Sequence, residues 1–362
     1  MLTTNKIKNI VLNRITFGLH VFLIALLLMV LSQTISAKEL GKLFMSDEVF
    51  TLELRTDFKS ILRTMSGTPE YYEGDLVYID DNNEQVKLNI KVMARGNFRR
   101  NPDYCSFPPL FINLKKSEVK NTLFDSQDKL KLVTPCQDEK EVIEEYLIYK
   151  MYNEVTDFSF RVRLVNVIYF DKATSKKLFE RYSFFIEDKD EVAERNGYVA
   201  RDTFVTPFDI DQENFKKMAF FQYIIGNRDW YVSSRKNIVI MQPEDRTLKP
   251  VVVPYDFDLS GFVDAYYSKP SGVPDHLLKD KRIYKGICYS EDEFNEIFSF
   301  YRELKPRFES VINNTNLISK SDKKQLLRYI DHFYTVIQDR NLIESEFLSI
   351  CETKKSYNIA EN

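Results

Sequence analysis

Histidine, tryptophan and glycine are scarce in this 362-residue chain, with three, one and ten copies. So few histidines, and four cysteines (Cys105, Cys136, Cys288, Cys351) with no pair in CxxC spacing, leave a histidine-based metal centre or a zinc ribbon without ligands. There is no GxxxxGK[ST] and no GxGxxG, so no P-loop or Rossmann turn cradles a phosphate. Internal periods and low-complexity runs are also missing, which excludes a repeat solenoid. Positive charge is not in excess. The formal net charge is −3, a poor basis for binding nucleic acid. Beyond Leu31 no apolar stretch is long enough to span a bilayer.

What the chain does contain is core material. It is 44% apolar and 14% aromatic, with 28 Phe and 21 Tyr, enough for one large domain or two modest ones. The first residues read as an export signal. Lys6, Lys8 and Arg14 are followed by the apolar run Val21 to Leu31, and then by the small residues of SQTISA ending at Ala37. The expected form is therefore cleaved after residue 37 and exported, periplasmic or secreted. The alternative is an uncleaved anchor through residues 15–33. Residues 1–37 hold three basic and no acidic side chains, so the cleaved chain carries 48 basic against 54 acidic residues, a net of −6. In an oxidising compartment the four cysteines permit disulfides, and Cys105 with Cys136 is the pairing favoured here.

Alternation and turn residues predict strands over 49–56, 75–80 and 86–95, with Asp80-Asp81-Asn82-Asn83 as a hairpin turn. A short helix capped by Asp57 fits 57–65. Further strands are expected through Leu114, over 129–133, 161–170 and 177–187, and helices over 139–155, 212–225, 291–314, 321–338 and 342–351. In the 139–155 helix Val142, Tyr146, Leu147, Tyr149 and Met151 form the apolar side. Glu141, Glu144 and Glu145 sit early, where the helix dipole favours them. The expected fold class is α+β, with a β-rich N-terminal part at 38–125 and a core with a helical C-terminal lobe at 126–362, which the resemblance described below implies to be atypical protein-kinase-like.

The most informative stretch is Ile225 to Gly261. Asp229 is followed by Asn237, an apolar strand (Ile238 to Met241), a polar turn, a second apolar strand (Val251 to Val253), and then Asp256 and Asp258. Phosphoryl-transfer enzymes use this order, because a hard cation bridging phosphates takes oxygen ligands from two places and a hydroxyl nucleophile needs a carboxylate beside it. Taken singly, each residue has a plainer reading. Asp229 also fits a turn cap, and Asn237 a turn residue. Asp256 and Asp258, facing one side of an extended segment, also fit a surface pair neutralised by Arg282 or Lys285. Arg95, Arg99 and Arg100 fit either a phosphate-binding loop with Gly96 or a solvated basic loop. Lys131 also fits a solvated strand lysine. Glu187 and Asp188 stand where a hinge would meet adenine, and Tyr266, Tyr267, Tyr284 and Tyr289 fit either a substrate rim or packing.

Arg95-Gly96-Asn97, and Val253-Pro254-Tyr255-Asp256-Phe257-Asp258 with Gly261, resemble the spore-coat CotH-type atypical protein kinases. The central loop is more distantly similar to HipA-like and phosphoinositide-kinase-like folds, and the whole resembles exported Bacteroidetes-type bacterial proteins over about Arg95 to Gly286. The resemblance implies that Asp229 is the catalytic acid beside the acceptor hydroxyl. Asn237 and Asp256 would be metal ligands for Mg²⁺ or Mn²⁺, with Asp258 a further acid there. Arg95, Lys131 and Glu145 would bind the nucleotide, ATP or another, with Lys131 paired to Glu145 or Glu144. Two departures stand out: Cys105-Ser106-Phe107 occupies the place of the family's lysine, and eight residues separate Asp229 from Asn237. The implied function is an exported metal-dependent phosphotransferase acting on a protein or a small hydroxyl acceptor. A catalytically inactive nucleotide-binding or scaffold protein of the same fold is the alternative, and a carboxylate-based hydrolase ranks third.

Overall fold

The computed structural model describes residues 41–245, 247–268 and 282–349. The signal segment and its cleavage point lie outside them. Seven strands close a barrel: β1 (Phe50–Thr56), β2 (Tyr72–Ile79), β3 (Gln85–Ala94), β4 (Leu110–Leu114), β5 (Lys129–Val133), β6 (Val162–Asp171) and β7 (Lys176–Ile186). The order around it is β1-β2-β3-β4-β5-β7-β6, closed by the parallel pairing of β1 with β6, Phe50 opposite Val165. All other neighbours are antiparallel. Alternating apolar residues fill the interior, among them Leu54, Leu76, Val92, Ile112 and Leu132, each essentially inaccessible. The division expected at 125/126 falls inside this barrel, because β4 and β5 are hydrogen-bonded neighbours from Leu110–Leu132 to Asn113–Lys129. Helix α1 (Phe58–Arg63) follows β1, and Asp57 caps it by accepting from the Ser60 N–H at 2.9 Å. A single turn, α2 (Lys116–Val119), follows β4.

Between β5 and β6 runs α3 (Glu139–Asn153), which packs on the outside of β6 and β7. It is not one-sided as its spacing suggested. Ten consecutive or near-consecutive residues from Val142 to Tyr152 are buried, Glu144 and Glu145 among them at 3% and 2% exposure. After β7 come α4 (Lys189–Arg195), β8 (Tyr198–Ala200), α5 (Gln212–Ile224), β9 (Ile238–Pro243) and β10 (Val251–Pro254). The last two strands join β8 in a three-stranded sheet of order β10-β9-β8. Apart from the barrel interior there is a second apolar cluster around α3 and α5, and helices α6 (Glu291–Asn314) and α7 (Lys320–Val336) cover it with Phe294, Phe298, Tyr301 and Phe333. α6 opens on a reciprocal capping box between Ser290 and Glu293. In place of the terminal helix expected over 342–351, a short α8 (Arg340–Ile343) runs into a π turn at Glu344–Leu348, and residues beyond 349 lie outside the described set.

The end of α5 decides where Asp229 points. Gly226 adopts φ +65°, its N–H donates to the Tyr223 carbonyl at 3.0 Å, and the Asn227 N–H reaches back to Gln222 at 2.8 Å. That is the paired-bond stop that a left-handed residue after a helix makes available. Two bonds then lock this stop to the acidic loop after β10: Gly261 N–H to Gly226 O at 3.2 Å, and Phe262 N–H to Ile225 O at 3.1 Å. A side chain at 226 meets a backbone that disfavours it and runs into the Tyr329 hydroxyl. Gly226→Ala is expected to cost about 2 kcal/mol, a left-handed penalty of roughly 1 plus the displacement of Tyr329. Chemical denaturation measures it, and an unchanged midpoint would show that the stop is not rigid.

Candidate active site

A cavity of about 450 Å³ opens between the barrel, α3 and the β9–β10 loops. Arg95, Lys131, Glu145, Asp229, Asn237, Asp256 and Asp258 all line it, together with Gly96, Asn97, Phe98, Arg99, Lys236, Tyr149, Tyr255 and the apolar Val133, Phe160 and Ile186. These residues arrive from four separate segments. Arg95 follows the last residue of β3, Lys131 is central in β5, Glu145 is in the second turn of α3, and the acids lie on the loops flanking the β9–β10 hairpin. The hairpin pairs Ile238 with Pro254, so its open end holds Asn237 and Tyr255 side by side, the Tyr255 N–H donating to Asn237 O at 3.1 Å.

At the Asp229 end, the Asp229 N–H donates to Asn227 Oδ1 at 2.9 Å. Asn237 Nδ2 donates to the Asp229 carbonyl at 2.7 Å and to its carboxylate at 3.0 Å. The Lys236 ammonium pairs with the other carboxylate oxygen. Lys236 is a site residue that sequence reasoning missed. Its signal lay in the unusual Asp229–Asn237 spacing.

At the other end, Asp256 does not lie on an extended segment as expected. Its φ is +63°, a conformation that Asp tolerates better than most residues, and its N–H donates to the Tyr149 hydroxyl at 2.9 Å. Its exposed carboxylate makes no hydrogen bond or ion pair among the described residues. Asp258, 7% exposed, accepts from the Tyr267 hydroxyl at 3.0 Å. Burial and then the Asp256 charge push the Asp258 carboxyl up from the ordinary range. Burial, Asp258 and Asp256 likewise hold Glu145 well above it, against the opposing pull of Arg99 and of the Phe257 N–H. Arg99 and Arg95 offset part of the repulsion among these three carboxyls, and a bound cation would favour their ionised forms further.

Three expectations need correcting. Lys131 pairs with neither Glu145 nor Glu144. Its ammonium lies 5.8 Å from the centre of the Tyr255 ring, Glu145 faces the Asp258 side, and Glu144 reaches Lys140 at 3.6 Å. Burial and then Arg95 lower the lysine's proton affinity. Arg282 and Lys285 neutralise neither Asp256 nor Asp258. Arg282 binds the Ile224 and Tyr329 carbonyls, and Lys285 those of Arg228 and Trp230 at 2.7 and 3.0 Å. Arg100 leaves the cavity to bind the Met65 and Gly67 carbonyls, whereas Arg99 stays, donating to Thr134 O. Gly96, at φ +83°, has open space where a Cβ would stand. At the hinge position Glu187 is committed to Arg195 at 3.0 Å, and Asp188 caps α4.

Cys105 and Cys136 are bonded, tying the loop that carries Arg95 to Arg99 to the residue two before the Asp138 cap of α3. Among the described residues no three of His, Cys, Asp or Glu form a metal cage, and no helix is long and apolar enough to cross a membrane.

No family model matches the chain, and no curated protein matches it. Among solved structures it is similar to the Helicobacter pylori proinflammatory kinase CtkA. That match has 12% identity over 68% of this chain and 90% of the other, with a TM-score of 0.34.

Proposed function

We propose that the chain is an exported, CotH-like kinase-type phosphotransferase that moves phosphate from a nucleotide to a hydroxyl with a divalent metal. The observation that carries this reading is the convergence of four segments, with Arg95, Lys131, Glu145, Asp229, Asn237, Asp256 and Asp258, on one cavity. Lys131, Arg95 and Gly96 supply cations and an open backbone for phosphate oxygens. Val133, Phe160, Ile186 and Tyr255 supply apolar surface for a base.

The donor set fits a metal held jointly with its substrate. Asp256 is unpaired among the described residues, Asp258 has one oxygen committed to Tyr267, and Mg²⁺ characteristically takes one or two carboxylates plus phosphate oxygens. Such an ion, when bound, neutralises the phosphates and lets them approach these acids. Asn237, which holds the Asp229 carboxylate, is the amide beside it. Asp229 is placed to orient an acceptor hydroxyl, with Lys236 and Asn237 fixing its carboxylate.

A second reading, a nucleotide-binding protein of this form without turnover, is favoured by the missing Lys131–Glu145 pair. Thermal unfolding with ATP and Mg²⁺ or Mn²⁺, singly and together, tests both. A ligand bound only by the folded chain adds about 2.7 kcal/mol at a hundredfold excess over its dissociation constant. A shift that needs both partners, with ADP formed on addition of an acceptor, is the expected result. The shift without turnover supports the second reading, and no shift with any combination removes both.

A further inference from the structure

The eight-residue gap between Asp229 and Asn237 is filled by a small hairpin. Tyr231 and Lys236 exchange backbone bonds of 3.1 and 2.9 Å, Arg235 N–H closes the turn on Val232 O at 2.9 Å, and Arg235 itself takes φ +54°. Val232 anchors the turn at 4% exposure, and Lys285 fixes its base by binding the Arg228 and Trp230 carbonyls beneath the Tyr231 ring, 3.5 Å from its centre. What the hairpin presents outward is cationic and aromatic. Arg235 is exposed, Arg228 half-buried and Tyr231 52% exposed, and neither guanidinium makes a hydrogen bond or ion pair among the described residues. Asp229, the carboxylate next to Arg228 in the chain, is already held by Lys236 and Asn237. In a chain of net charge −3, two unpartnered arginines bracket the residue placed at the acceptor hydroxyl.

We propose that this hairpin is the acceptor-docking surface and that the acceptor is an acidic peptide whose hydroxyl residue has carboxylates next to it. The inference rests on the phosphotransferase reading for the role of Asp229. Arg228 stands at the base of the hairpin, one residue before Asp229, and Arg235 in its turn, six residues after; two separate cations suit a peptide with several carboxylates rather than a small hydroxyl compound. Arginine forks bind carboxylates bidentately, and opposite charge both steers the encounter and sets the register.

Fluorescence anisotropy with the full chain tests this without requiring turnover. Two labelled peptides are compared at low salt, a single serine flanked by glutamates and the same serine flanked by lysines. The wild type is expected to bind the glutamate peptide at least tenfold more tightly, and to lose that preference in molar salt. The double variant Arg228→Glu/Arg235→Glu is expected to invert the preference. Arg235→Glu alone, at an exposed turn, is expected to weaken it severalfold and serves if the double variant fails to fold. Equal binding of the two peptides, or a preference untouched by charge reversal, overturns the proposal. If nucleotide and metal still stabilise the chain in that case, the docking surface falls alone. Inverted peptide binding without any nucleotide effect keeps the surface and removes the phosphotransfer.

Discussion

Replacing Asp256 by alanine or asparagine abolishes the metal-dependent stabilisation by nucleotide, the whole of the roughly 2.7 kcal/mol expected at a hundredfold ligand excess. Two features make this residue the sharpest probe. Among the described residues its carboxylate makes no hydrogen bond or ion pair, and only the longer-range attraction of Arg95, Arg99 and Lys131 is lost with it. It also stands beside Asp258 and Glu145, whose protons it helps to hold on, so its loss relieves repulsion that offsets the lost attraction of the nearby cations. The backbone sets the choice of substitute. Asp256 has φ +63°, where alanine costs about 1 kcal/mol and asparagine much less. Both keep the N–H that donates to Tyr149. Asp256→Asn should therefore unfold near the wild-type midpoint without ligand, and show no shift with ATP and Mn²⁺. An asparagine variant that keeps the full shift would place the metal, or the nucleotide, somewhere else.

Local pattern was legible where local physics decides. β5 at Lys129–Val133 and α6 at Glu291–Asn314 have the ends that their alternation and capping residues implied. The candidate residues of the Asp229–Asp258 stretch do share one cavity, because a tight antiparallel hairpin returns the chain to its starting level. What pattern could not show is what distant segments impose. Closure of the barrel depends on β1 meeting β6 across more than a hundred residues. That closure draws β5–β7 into the same barrel as β1–β4. Glu144 and Glu145 read as dipole-facing surface acids, and are buried because α3 lies between β7 and α6, with the β10 loop facing Glu145. The Lys131–Glu145 pair was a plausible neighbour relation between a strand and the next helix. The Phe257 N–H and the Asp258 side took the glutamate instead. The left-handed turn at Asp256 carries no glycine to announce it. Short elements such as α4 and β8 fall below the length at which periodicity is visible.

Glu144 sets up the other large effect, on stability. It is 3% exposed, among the described residues its carboxylate meets only Lys140, at 3.6 Å, and Lys140 is shared with Asp322 at 2.9 Å. Glu141 on the same helix and Asp322 from α7 are the acids that face it, both opposing its charge. Burial first, against the opposing pull of Lys140, pushes its carboxyl from the ordinary 4.5 up to about 8. The folded protein therefore binds a proton that the unfolded chain has released over the whole interval between those values. Stability is greatest below the unfolded value and falls as pH rises toward the folded one, by at most about 1.4 kcal/mol per unit. Summed over the interval, the loss approaches roughly 4 kcal/mol. Glu144→Gln keeps the shape and removes the titration. It should unfold near the wild-type midpoint at pH 5, and exceed the wild type by several kcal/mol at pH 9. Glu145 and Asp258 tilt the wild-type curve in the same direction, so the difference between the two proteins, not either curve alone, reports Glu144. Parallel curves from pH 5 to 9 would mean that Glu144 is ionised in the fold and that Lys140 compensates it in full.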